Sequence, residues 1–184
     1  MSVRTHNKPR EADFFSVCNA CQHSGCCTGT RPPLTKKRMQ IIENFLKENR
    51  VYIDNPFQKK QYAFPDETSE GRCIFFDPFT RKCRIHLVKP ETCVAGPFTF
   101  DINRETRKIE WFLKKDSICP LAELLYKDLE AHKKHVKSAK RELRRLVRDL
   151  EAEELRAVLT VDEPETSKVG EENVAPSVLA KLKK

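Results

Sequence analysis

The first sustained helical pattern runs over 36–48, where Met39, Ile42, Phe45 and Leu46 recur at steps of three and four with Ile41 beside them. Thr35 stands where an N-cap belongs, and Leu34 and Met39 occupy the places of a hydrophobic staple. Before this helix, 1–13 is polar without an apolar period, and Cys18 to Arg31 reads as an irregular loop ended by Pro32-Pro33. After it, Pro56, Pro65 and the acidic run before Gly71 predict an irregular connection over 51–70. Cys73-Ile74-Phe75-Phe76 and Lys82-Cys83-Arg84-Ile85 flank the turn signal Asp77-Pro78-Phe79-Thr80, a hairpin that would bring Cys73 and Cys83 together. Val88 to Gly96 reads as a loop carrying Cys93, and a second hairpin is predicted from Phe98–Ile102 to Ile109–Leu113. From Leu121 the pattern becomes helical again: Leu125, Leu129, His132, Val136, Ala139, Leu143, Leu146 and Leu150 form one stripe.

That stripe predicts a single helix to about Leu159, roughly 57 Å long at 1.5 Å per residue, whose distal half projects beyond so small a module. Its spacing, near 3.5, suits a partner helix, and both an unidentified protein partner and a homodimer stay open. The expected architecture is α+β: a small irregular cysteine-rich metal-binding module with short hairpins over 14–125, then a long C-terminal helix. The helix continues as a basic amphipathic segment over 126–160. Residues 161–184, with two prolines, several acidic residues and a lysine-rich end, read as a disordered tail.

Composition narrows the class. A chain of 184 residues is long enough for one domain and an appendage. Hydrophobic residues make up 39%, charged residues 34%, and no apolar run approaches the roughly 20 residues of a membrane span. The first twelve residues lack the apolar stretch of a secretory signal, so a cytoplasmic location is expected. In a reducing compartment eight cysteines are poorly explained by disulfides.

Their spacing suits a metal. Cys18, Cys21, Cys26 and Cys27 fall within ten residues, followed by Cys73, Cys83, Cys93 and Cys119. A metal ion stabilises several adjacent thiolates and lowers their pKa values together. Two tetrahedral zinc sites would use all eight thiols, and a [4Fe-4S] iron-sulfur cluster with a second centre would also satisfy them. Adjacent Cys26 and Cys27 would point apart in extended backbone, so they either serve different centres or divide ligation and support between them.

The ordered set Cys18-x-x-Cys21, Cys26-Cys27, Leu34-Thr35 entering a helix, Cys73-Ile74-Phe75, Cys83-Arg84-Ile85-His86, Lys89-Pro90, Cys93, Pro97-Phe98 and Cys119 resembles the YkgJ-like cysteine-cluster family of zinc- or iron-chelating domains. The resemblance covers roughly 14–125 and implies that the eight cysteines serve one or more metal centres. Two departures stand out: four residues separate Cys21 from Cys26, more than the family's usual gap, and Lys89 stands where arginine commonly precedes the proline. Related clusters in flagellin lysine methylases extend the analogy to an iron-sulfur redox or S-adenosylmethionine-dependent enzyme. No glycine-rich nucleotide loop in the sequence supports it independently.

His23 and His86 lie near cysteines and read as peripheral to the thiols, and His132 and His135 read as ordinary helix positions. Trp111 reads as core, with cofactor stacking the minor alternative. From His132 to Arg148, eight lysines and arginines stand against Glu142 alone, a local surplus of seven in a chain whose formal charge is +8. Such a face is either solvated or offers phosphate contacts to a nucleic acid.

Overall fold

A computed structural model describes Cys18, Cys21 and residues 23–119, 122–127, 129–163 and 165–183. Helix α1 (Lys36–Glu48) starts where its cap predicts, with the Thr35 hydroxyl accepting a hydrogen bond from the Arg38 N–H at 3.1 Å. Strands β1 (Phe57–Lys59) and β2 (Ala63–Pro65) pair antiparallel inside the stretch expected to be irregular. The hairpin after Cys73 is short: β3 (Phe76–Asp77) pairs with β4 (Lys82–Cys83), and Asp77 closes the turn by accepting from the Phe79 N–H and the Thr80 hydroxyl. The Cys93 segment is a helix, α2 (Glu91–Ala95), rather than a loop, because Pro90 can end an extended stretch and open a helix as readily as it starts a turn.

The second hairpin forms as its alternation predicts. Strand β5 (Phe98–Asn103) pairs with β6 (Lys108–Lys114) in a register that sets Phe98, Phe100 and Ile102 against Leu113, Trp111 and Ile109. Period-two alternation puts these six side chains on one face, where all are buried.

The stripe after 121 does not make one projecting helix. It is divided among α3 (Ala122–Lys127), α4 (Leu129–Asp149) and α5 (Ala152–Val158). Glu151 breaks the run by adopting extended backbone as the N-cap of α5 in a reciprocal capping box with Glu154. Ala139, Leu143, Leu146, Val147 and Leu150 share the larger hydrophobic core with the inner face of the sheet, so the distal half is spent inside the chain. Leu129 is the exposed member of the stripe.

The stretch over 161–184, expected to be a disordered tail, likewise contains a strand and a helix among its described residues. Strand β7 (Thr166–Asn173) joins the outer side of β6 to give a β5-β6-β7 antiparallel sheet, with a bulge where Trp111 faces Gly170 and Phe112 faces Lys168. Helix α6 (Pro176–Leu182) then buries Val178 and Leu182 in the larger core. An edge strand needs little apolar surface of its own when its partner supplies the ladder, which is why the polar run Thr166-Ser167-Lys168 gave no strand signal.

A second, smaller core collects Leu34, Ile42, Leu46, Ala63, Phe75 and Ile85 from α1, the β1–β2 pair and the β3–β4 hairpin. The two cores meet along a polar seam. Arg38 of α1 lies 3.1 Å from Glu91 of α2 and 2.8 Å from Glu142 of α4, with all three side chains buried. At its edge Lys36 pairs with Glu151 and Lys59 with Glu154, each at 3.3 Å.

Candidate metal centre

The cysteines occupy the same seam. Cys18 and Cys119 pack against the larger core, Cys73 and Cys83 against the smaller one. Backbone contacts assemble them. The Cys21 N–H donates to the Cys18 carbonyl at 3.1 Å, closing the Cys-x-x-Cys turn. Ser24 takes left-handed backbone (φ 48°) and starts a 3-10 turn, Gly25–Cys27, whose last N–H returns to the Ser24 carbonyl at 2.9 Å. The Cys73 N–H donates to the Cys27 carbonyl at 2.8 Å, and Gly29, at φ 65°, donates to Gly71 at 2.9 Å. Two chain segments more than forty residues apart in sequence are thereby strapped side by side.

Seven thiols fall within electrostatic reach of one another through this strapping. Cys18 feels Cys26 and Cys21; Cys27 feels Cys26, Cys93 and Cys73; Cys73 feels Cys83; and Cys83 feels Cys18. Burial is the largest influence on the acidity of four of them, Cys18, Cys73, Cys83 and Cys93. It raises Cys18, Cys83 and Cys93 above an ordinary thiol and pushes Cys73 up to about 11. The backbone N–H of Phe75 pulls Cys73 back toward the thiolate, and that of Ile85 does the same for Cys83. In each case the donor is two residues beyond the cysteine.

Cys26 and Cys27 are not equivalent. The interaction between their side chains lowers Cys26 to about 6 and raises Cys27, which favours the thiolate at Cys26. Cys119 is helix-like in its local bonding, its N–H donating to the Lys115 carbonyl at 3.0 Å.

A cation completes the cluster. Lys89 is 4% exposed, and its ammonium lies 3.5 Å from the Cys18 sulfur. Its charge also lowers Cys26, Cys83 and Cys93. Among the described residues no three cysteine, histidine or carboxylate groups already surround one point as ligands would. The donor set nevertheless fits a thiophilic metal: clustered thiols, N–H groups directed at sulfur and a buried positive charge are what several thiolates need in order to coexist.

Of the histidines, His23 is exposed and His86 half-buried. His135, expected to be an ordinary helix position, is buried against the backbone that follows Cys93. Its Nε2 lies 3.2 Å from the Ala95 carbonyl and 3.0 Å from that of Gly96, an N–H donor shared by the end of the helix that bears Cys93. Burial lowers its pKa, which favours the neutral ring. The residues that sequence reasoning passed over are Arg38, Glu91 and Glu142, and the one local clue was a glutamate directly after Lys89-Pro90.

Part of the basic helix face is paired in place. Glu172 of β7 accepts both prongs of Arg144 at 2.6 Å and draws Lys140 to 3.8 Å; Arg145 pairs with Glu142, Arg148 with Asp149 and Lys133 with Glu130. Trp111 is 1% exposed, so it is core, with Lys140 and Arg144 placed over its ring at 5.1 and 5.8 Å. No helix among the described residues is long and apolar enough to cross a membrane.

A family model described as "putative zinc- or iron-chelating domain" matches residues 17–120. An uncharacterized protein of Methanocaldococcus jannaschii is similar, with 29% identity over 115 residues that cover 59% of this chain. The match spans 63% of that protein's length. No solved structure matches the chain.

Proposed function

The chain belongs to the CxxCxxCC family, and on that premise we propose that it is a metal-chelating module whose thiolates hold zinc or iron at the seam between two small cores. The observation that carries this reading is the convergence of Cys18, Cys21, Cys26, Cys27, Cys73, Cys83 and Cys93 from three separated stretches into one electrostatic neighbourhood. Thiolate sulfur accepts either zinc or an iron-sulfur centre. When bound, the metal supplies positive charge that lets several thiols remain deprotonated together. Cys26 enters as the readiest thiolate; Phe75 and Ile85 direct N–H groups at Cys73 and Cys83; His135 holds the Cys93 helix in place. Cys119, on the larger core beside the site, is the eighth candidate ligand.

Thiolates drawn from both cores would let a bound metal link elements whose direct connection is otherwise polar. Binding free energy for such a centre is also folding free energy, because the unfolded chain offers no preformed site. The test is anaerobic purification followed by metal and acid-labile sulfide analysis with an absorption spectrum. Metal bound in near-integral amount, with most thiols shielded from alkylation, is expected. A folded, metal-free chain with all eight thiols reactive overturns the reading. Sulfide with visible absorption assigns an iron-sulfur centre, and a colourless zinc protein excludes it.

A further inference from the structure

The least expected side chain in the cluster is a lysine. Lys89 is almost fully buried, although a long, strongly hydrated ammonium resists burial unless an opposite charge meets it. Its backbone is extended (φ −55°, ψ 160°) and followed by Pro90, which fixes the direction in which the side chain leaves the main chain. The ammonium reaches 3.5 Å from the Cys18 sulfur and acts on Cys26, Cys83 and Cys93 as well. It therefore touches one cysteine, and its charge reaches cysteines of all three stretches that form the site.

Thiolate chemistry explains why a cation belongs there. Four thiolates around a divalent ion leave an excess of about two negative charges, and a buried site has little water to disperse them. A fixed ammonium would offset part of that excess, with its N–H directed at the sulfur of Cys18.

We propose that Lys89 is the built-in counter-charge of the thiolate centre, a positioning residue whose ammonium holds the Cys18 thiolate and balances the negative charge of the metal-thiolate set. This rests on the thiolate reading above. It adds that charge, and not only sulfur geometry, determines how tightly the metal is held. A neutral side chain of similar length weakens metal binding, whereas another permanent cation preserves it.

The experiment compares the full-length wild-type chain with Lys89→Arg, Lys89→Gln and Lys89→Met. Each is stripped of metal under reducing, anaerobic conditions and titrated with zinc against a chromophoric chelator, with circular dichroism of each apo chain as the folding control. Lys89→Gln and Lys89→Met are expected to bind zinc about 10- to 100-fold more weakly, the range found when a residue supporting a metal ligand is lost. Lys89→Arg is expected to retain most of the wild-type affinity. Purely structural support would not sort the variants by charge. If Lys89→Met fails to fold, the Arg and Gln pair decides alone. Lys89→Gln binding zinc as tightly as wild type overturns the counter-charge role and leaves the thiolate reading intact. A wild-type chain that takes up neither zinc nor iron, the latter supplied as ferrous ion with sulfide, overturns both.

Discussion

Arg38 and Glu142, 104 residues apart in sequence, meet at 2.8 Å with both side chains about 8% exposed. Glu91 joins them as an ion pair at 3.1 Å, without aligned hydrogen-bond geometry at Arg38 Nε, and burial raises its pKa against the pull of Arg38. One guanidinium thus serves two carboxylates on the other side of the seam. Arg145, half-exposed, adds a second cation at 3.2 Å from Glu142.

Removing Arg38 leaves two buried carboxylates without their shared partner. Arg38→Met is expected to cost about 3–5 kcal/mol, the range for breaking a buried ion pair from one side. Arg145→Met, with its partly solvated guanidinium, should cost under about 1 kcal/mol. Urea unfolding of the two variants side by side checks this, and equal losses would mean that the seam is not held by Arg38.

Metal removal should loosen the seam and spare the larger core. Chelation is expected to raise amide exchange over 23–31 and 72–95, where the thiols are strapped together, while α4 and the β5–β6–β7 sheet keep their protection. Hydrogen exchange with and without chelator reads this directly. A uniform loss over the whole chain would show that the centre supports both cores rather than their junction.

His135 gives the fold a dependence on mild acid. Its folded pKa is depressed by burial, so the unfolded chain binds the proton first as the pH drops below about 6.5. Stability is expected to be fully present above that value and to decline below it, until the folded ring also protonates. Denaturant midpoints between pH 7.5 and 5.5 measure the slope. His135→Gln, which keeps an N–H donor for the Ala95 and Gly96 carbonyls, should flatten it.

Glu172 restrains the basic helix. Glu172→Gln releases the fork to Arg144 and the nearby Lys140 at a cost of about 1 kcal/mol or less, because the pair is partly solvated. The freed cations should raise the affinity for single-stranded nucleic acid at low salt, with a steeper salt dependence than wild type. Fluorescence polarisation over a salt series tests it, and unchanged binding would mean that Glu172 does not govern that face.

Helix α6 gives the last expectation. Leu182 is 6% exposed in the larger core, so Leu182→Ala should destabilise by about 2 kcal/mol or more, whereas the same change in a disordered tail would do nothing. Thermal or urea unfolding distinguishes the two.

Several features were legible because their signals are local. Thr35 caps its helix through a backbone N–H three residues away, and the 98–113 hairpin needs only alternation and a turn. The cysteine pattern announced metal chemistry by composition and spacing alone, within the stretch that the family model matches. The stripe from Leu125 to Leu150 was also real, but periodicity reports which face is apolar and not what covers it. The sheet and α6 cover it.

The remaining features depend on partners distant in the chain. A polar stretch such as Thr166–Asn173 becomes a strand only when β6 offers an edge, and Arg144 and Lys140 of the basic helix meet a carboxylate only when Glu172 is brought against them. Lys89 reads as a surface lysine until the fold buries it among thiols, and Arg38 as one more charge on α1 until Glu91 and Glu142 close around it. The sequence by itself determined the eight sulfurs, the first helix, the 98–113 hairpin and the family's class of chemistry. The tertiary structure decided which charges those sulfurs face, because electrostatic partnership follows distance in space and burial, neither of which local sequence encodes.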